Sequence, residues 1–141
     1  MATWLFKTEP GEFSFADLQA RGASVWDGVS NPAAVQHLRR CAVGDEVLVY
    51  HTGSEKAVVG LARVTAGPRE DPKRPGLTEA GEVKFAVVTI AAVKAAAQAV
   101  TLAQVKADKA LAGFDLVRLP RLSVMAVPTA VDRRLRALAG L

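Results

Sequence analysis

Glu46-Val47-Leu48-Val49-Tyr50-His51-Thr52, followed by Gly53-Ser54-Glu55-Lys56 and then Ala57 to Thr65, is the stretch that decides the fold. Its first segment is a nearly continuous apolar run, opened by the turn chemistry of Val43-Gly44-Asp45, and it predicts a buried strand. The polar Gly53-Ser54-Glu55-Lys56 segment is short enough to reverse the chain. Ala57 to Thr65 then resumes strand character, so the two segments read as a hairpin. Gly60 in the middle of the second strand marks a bulge or a close approach of another group to the backbone.

Upstream of the hairpin, Thr3 to Lys7 reads as a strand carrying Trp4 and Phe6, closed by Glu9-Pro10-Gly11. Alternation sets Trp4, Phe6 and Thr8 on one face and Leu5 and Lys7 on the other. Ser14 and Asp17 have the spacing of a capping box and open a short helix that ends near Arg21-Gly22. Ser24 to Trp26 forms a brief extended piece. Asn31 is an N-cap, Pro32 takes the first helical position, and Ala34, Val35 and Leu38 form the apolar side of a helix running to Arg39-Arg40.

Downstream, Ala66 to Gly81 carries Pro68, Pro72 and Pro75 among charges and predicts an exposed excursion. Its Arg69, Lys73 and Arg74 are offset by Glu70, Asp71 and Glu79, which makes it a poor phosphate clamp by itself. Glu82 to Val93 returns to strand character. Ala91 to Ala99 fits strand or helix equally by periodicity. Thr101 to Lys106 predicts a capped helix, and Leu116 to Val127 extended segments broken at Pro120. Pro128 to Leu138 is a final helix with Thr129 and Asp132 as its capping box. Strands and helices do not alternate as in a doubly wound parallel sheet. The expectation is an α+β fold, with a mixed, mainly antiparallel sheet or small barrel and helices at its ends. With 141 residues, half of them hydrophobic, the chain suits one core, hence a single domain over 1–141.

The net charge of +4 is compatible with a polyanionic partner but does not demand one. Cys41 is the only cysteine, which removes an intrachain disulfide, a cysteine-based zinc site and a CxxC pair, and makes a reducing, cytoplasmic setting the default. No leader-like start and no apolar run of membrane-spanning length occur, so a soluble, unprocessed chain without a membrane partner is expected. Neither GxSxG, Walker-type nor GxGxxG patterns appear, and the two histidines, His37 and His51, have no metal-ligand spacing. No cofactor is implied.

The segment with the most unusual chemistry is Trp26-Asp27-Gly28-Val29-Ser30-Asn31-Pro32. It groups an aromatic ring, a carboxylate and an amide around a glycine ahead of a helix start. A pocket for a flat, polar ligand such as a nucleobase uses those groups; a tight turn with a buried Trp and a helix cap uses them equally well. Glu9 and Asp27 are a possible carboxylate pair which, with His51, would be the machinery of a nucleotide-processing enzyme. Arg118, Arg121 and Ser123 are either solvent-facing residues or contacts to phosphate and ligand.

Taken together, Trp4-Leu5-Phe6-Lys7-Thr8-Glu9-Pro10, Phe13-Ser14 with Asp17-Leu18, Trp26-Asp27-Gly28-Val29 with Asn31, Val43-Gly44-Asp45 leading to Tyr50-His51-Thr52, Val59-Gly60-Leu61-Ala62 and Arg121-Leu122-Ser123-Val124 resemble the EVE domain, a PUA-like family related to YTH domains. The resemblance runs across almost the whole chain. It implies a PUA-like mixed, mainly antiparallel β-barrel with short helices around it. It also implies a non-enzymatic module that recognises a modified base, a modified cytosine above all, flipped from DNA or RNA into an aromatic pocket. Carried over motif by motif, Trp26 is the stacking surface, Asp27 and Asn31 hydrogen-bond the base edge or shape the pocket, Lys7 and Thr8 form its rim, His51 is a wall, and Ser123 is a polar contact beside Arg121. A monomer is expected. The family pattern has arginines where this chain has Ser30 and Val35, and Gln-Pro where it has Met125-Ala126. A small-ligand or protein-interaction module on the same fold is the alternative that those departures leave open.

Overall fold

The computed structural model describes residues 1–141. In chain order the elements are β1 (Thr3–Thr8), α1 (Phe15–Arg21), β2 (Ala23–Trp26), α2 (Pro32–Arg40), β3 (Glu46–His51), β4 (Ala57–Glu70), β5 (Ala86–Thr101), α3 (Leu102–Ala107), a 3-10 turn (Lys109–Leu111), α4 (Asp115–Arg118), β6 (Val124–Ala126) and α5 (Thr129–Ala139). No helix is long and apolar enough to cross a membrane.

The β3–β4 hairpin is the centre of a six-stranded sheet of order β2-β5-β4-β3-β1-β6. All neighbours are antiparallel except β1 and β3, which run parallel with Leu5 opposite Leu48 and Phe6 opposite Val49. The fold is thus the mixed, mainly antiparallel α+β arrangement expected, but the sheet is not closed into a barrel. Strand β2 pairs only with β5 and β6 only with β1, leaving two edges. Four register shifts along β4 and β5 interrupt their ladder, and such irregularities bend strands.

Strand β1 is covered on both faces, so Trp4, Leu5 and Phe6 are all buried despite their alternation. Each such side chain contributes about 1.5–3 kcal/mol through burial. Against the sheet lie α1, α2 and α5, whose buried faces present Phe15 and Leu18, then Ala34, Val35 and Leu38, then Leu135 and Ala139. The starts of α1 and α2 follow local chemistry. Ser14 and Asp17 exchange side-chain and backbone hydrogen bonds at 3.0 and 2.9 Å ahead of α1. Asn31 Oδ1 accepts the amides of Ala33 and Ala34 at 2.9 and 3.1 Å, a cap worth about 1 kcal/mol.

Gly60 shows both features expected of it: the β3–β4 and β4–β5 registers shift beside it, and the Phe15 ring lies so close that a Cβ at Gly60 would sit 2.6 Å from its ring Cε atoms. Asp45 ties the turn before β3 to β1, accepting the Trp4 indole N–H at 2.9 Å and the amides of Ala42 and Ala2 at 2.9 and 3.1 Å.

Other expectations are corrected. Strand β4 continues to Glu70, so the excursion begins only after it, and its first residue, Asp71, is 4% exposed. The ambiguous Ala91–Ala99 segment is strand, its two neighbours supplying ladder partners. Leu116 to Val127 is not a pair of extended segments: α4 occupies its start, with Leu116 buried and Arg118 paired to Asp115, and only Val124–Ala126 is strand. Thr129 and Asp132 form no capping box; Asp132 instead accepts from Thr3 Oγ1 and Arg136 Nε, fixing α5 to the sheet.

Candidate functional site

A cleft of about 870 Å³ lies between the end of β1, the Glu9–Phe13 turn, the α1–β2 junction and the Trp26–Ser30 segment. That is within the range of about 300–1,000 Å³ typical of small-ligand sites. Of the residues expected at the site, Lys7, Thr8, Trp26, Asp27 and Ser123 line this cleft. The β1–β6 edge explains part of this grouping, since the Lys7 amide donates to the Ser123 carbonyl at 2.9 Å and holds the two side by side.

Trp26 ends β2 with only 7% of its surface exposed. Its indole packs against Phe6, with ring centroids 5.5 Å apart, and edge-on to Phe13 at 6.1 Å. Little of the ring is therefore free as a stacking plane. What it does offer is a donor. Every fully enclosed side-chain nitrogen and oxygen in the protein has a hydrogen-bond partner; the Trp26 indole N–H has none and so is not fully enclosed, on a residue that lines the cleft. The contrast with Trp4, whose indole is consumed by Asp45, is direct.

The polar groups around it differ in how far they are committed. The Ser123 hydroxyl makes no hydrogen bond within the protein, and the Asp27 carboxylate has only Lys73 Nζ at 3.9 Å. Lys7 Nζ donates to the Pro120 carbonyl at 2.9 Å, lies 5.6 Å from the Tyr50 ring centroid and faces no carboxylate; burial lowers its pKa. Thr8 Oγ1 is spent on the Phe13 carbonyl at 2.6 Å, so Thr8 shapes the rim more than it solicits a ligand. Glu9 holds the turn by accepting the Gly11 amide at 2.8 Å.

Three expected site residues stand elsewhere. His51 is 7% exposed and does not line the cleft: its Nε2 accepts the Phe15 amide at 3.0 Å while Nδ1 faces Glu55 Oε1 at 2.8 Å. Asn31 uses its side-chain carbonyl for the α2 cap and, with Arg121, borders a separate hollow of about 330 Å³ beside Leu119 and Pro120. Met125 is fully buried opposite Leu5 and does not fill the cleft. No group of three or more His, Cys, Asp or Glu side chains is placed to share a metal ion.

Residues that sequence reasoning did not assign to the site also line it, notably Phe13, Arg21 and Lys73. Arg21 sits 5.0 Å from the Phe13 ring centroid and donates to Ser24 Oγ at 3.1 Å. Phe13 lay inside the Phe13-Ser14 motif and was legible there; Lys73 comes from the distant excursion and left no local signal.

Comparison with known proteins agrees with this architecture. A sequence model described as the EVE domain matches residues 2–138. Thymocyte nuclear protein 1 of Rattus norvegicus is 29% identical over 149 residues, covering 86% of this chain and 66% of that protein, and its Homo sapiens counterpart is 28% identical over 73% of this chain and 55% of its own length. The chain thus spans about half to two-thirds of these relatives. Among solved structures, a protein of Agrobacterium tumefaciens superposes with a TM-score of 0.90 at 32% identity, covering 100% of this chain and 94% of that one. A protein of Rhodopseudomonas palustris gives 0.88 at 34%, covering 99% and 94%. Human THYN1, solved in complex with 5-methylcytosine-containing DNA, gives 0.89 at 23% identity, covering 100% and 99%, and shares the fold. The chain belongs to the EVE domain family.

Proposed function

We propose that this EVE domain binds nucleic acid and reads a modified base, with a modified cytosine as the expected ligand, extruded from its stack into the Trp26 cleft. The observation that carries the proposal is the open Trp26 indole N–H, a donor with no partner in the protein, set in a mostly buried ring beside the free Ser123 hydroxyl and the Asp27 carboxylate. A donor, a donor–acceptor and an acceptor around one cleft suit the hydrogen-bonding edge of a base. Extrusion costs a few kcal/mol, which edge hydrogen bonds and aromatic contact can offset. The 5-methylcytosine-containing DNA bound by human THYN1, a protein of the same fold, points to the same class of ligand.

The domain acts by binding and not by catalysis. An enzyme built on Glu9, Asp27 and His51 would need the imidazole in the cleft, whereas both of its nitrogens are engaged at Phe15 and Glu55. The test is a binding panel of oligonucleotides, in DNA and RNA form, with plain and modified cytosines. A preference for a modified base that Trp26→Phe and Ser123→Ala each reduce is the expected result. Equal affinity for all members of the panel, or none for any, would overturn the proposal.

A further inference from the structure

The excursion between β4 and β5, residues 71–85, is fastened to the wall of the cleft. Arg74 reaches across to donate to Ser30 Oγ at 2.8 Å and to the Val29 carbonyl at 3.2 Å. Its guanidinium is held from behind by the buried Asp71 carboxylate at 3.4 Å and lies 4.1 Å from the Phe85 ring centroid. From α2, Arg39 Nε donates to the Val83 carbonyl at 2.8 Å and so fixes the far end of the same excursion. An exposed connection needs none of these cross-chain bonds merely to join two strands.

What the fastening presents to the cleft is Lys73. Its amide is pinned to Asp71 Oδ1 at 2.9 Å, yet its side chain is 82% exposed and lines the cleft. The lining holds three cations, Lys7, Arg21 and Lys73, against three carboxylates, Glu9, Glu12 and Asp27. Lys7 is bonded to Pro120 and Arg21 to Ser24, and Lys73 alone has only a distant carboxylate, Asp27 at 3.9 Å. A long cationic side chain on a fixed backbone point, 82% exposed and held only by the 3.9 Å pair with Asp27, suits a contact to an anionic group just outside the cleft.

We propose that residues 71–85 form part of the ligand-binding surface, with Lys73 contacting a backbone phosphate next to the base in the cleft and Arg74 as the positioning residue that sets Lys73 there. This rests on the nucleic-acid reading above. Phosphate contacts position without reading sequence, so Lys73 adds affinity and the cleft adds preference.

The experiment measures the affinity of wild type, Lys73→Ala, Lys73→Arg, Arg74→Ala and the Lys73→Ala/Arg74→Ala double variant for one modified and one plain oligonucleotide over a salt series. Lys73→Ala should weaken both oligonucleotides by the same factor, roughly three- to tenfold, and make the slope of log affinity against log salt shallower by about 0.7–0.9, the value of one phosphate contact. Lys73→Arg should keep the wild-type slope. Arg74→Ala should reproduce the Lys73→Ala loss and slope, and the double variant should be no worse than Lys73→Ala. An unchanged slope in Lys73→Ala, or a loss confined to the modified oligonucleotide, overturns the proposal. Additive losses in the double variant overturn the role given to Arg74. If wild type prefers the modified oligonucleotide while Lys73→Ala matches it, only this proposal fails; if wild type binds neither, both fail together.

Discussion

His51 Nε2 accepts the backbone amide of Phe15 at 3.0 Å, which joins the end of β3 to the first turn of α1. An acceptor at Nε2 requires the ring proton on Nδ1, where it is donated to Glu55 Oε1 at 2.8 Å. The imidazole thus satisfies an otherwise unpaired amide at a helix start, a structural task that leaves it no free nitrogen.

His51→Ala is therefore expected to lower folding stability by about 1–3 kcal/mol, the cost of stranding a buried donor, while leaving oligonucleotide affinity as in wild type. Urea denaturation and a binding titration of the same sample decide it. Full stability with lost binding would instead place His51 at the ligand.

The Phe15 ring occupies the space over Gly60. Gly60→Ala should cost about 1–3 kcal/mol by overpacking. Phe15→Ala removes the obstruction, so the double variant should be more stable than the sum of the two single losses implies. Additivity within experimental error would mean that the strand bend, and not the ring, demands glycine.

For Asp45, burial alone would raise the carboxyl, but the bonds from the Trp4 indole and the amides of Ala42 and Ala2 outweigh it and hold its pKa below the ordinary carboxylate range. A folded-state pKa below the unfolded value of about 3.9 stabilises the fold above that pH, and the contribution is lost as pH falls through the folded value. Asp45→Asn should cost about 1–3 kcal/mol at pH 7 and less at pH 3. A stability difference between wild type and variant that does not shrink on acidification would show that the charge is not what Asp45 contributes.

Burial, reinforced by the Asp45 carboxylate, pushes the Cys41 thiol up to about 12. At pH 8 the thiolate fraction is then on the order of one in ten thousand. Cys41 should resist an aromatic disulfide reagent in the native protein and react at once in denaturant. Rapid labelling without denaturant would show that the region between α2 and β3 opens far more easily than its packing indicates.

The parts of the fold that a short stretch of chain can encode were legible in the sequence. Asn31-Pro32 and the Ser14–Asp17 pair start their helices through contacts within one turn, and Gly60 announced a crowded backbone. What escaped depends on distant partners. Ala91, Ala92, Lys94 and Ala95 are strand because β4 lies beside them, α4 exists because Leu116 finds the core, and Asp132 serves Thr3 and Arg136 in place of its own helix start.

The site follows the same division. Lys7, Thr8, Trp26, Asp27 and Ser123 line one cleft, and each lay in a short recognisable motif. The sequence around Asn31 suits both a cap and a ligand contact, and its side-chain carbonyl is spent on the cap. Arg74 could not be assigned from its neighbours, because a mixed-charge, proline-rich segment reads as solvated surface until its bond to Ser30 is seen.

The most direct test of base reading uses the two tryptophans, whose indole N–H groups have opposite environments. In a proton–nitrogen correlation spectrum of labelled protein, the Trp4 indole signal should be protected from exchange by its bond to Asp45, and the Trp26 signal should not. On saturation with an oligonucleotide carrying one modified cytosine, the Trp26 signal is expected to shift downfield and gain protection while Trp4 stays in place, with a smaller change for plain cytosine. A Trp26 signal that stays put at saturation, or moves equally with both oligonucleotides, would contradict recognition of the modified base in this cleft.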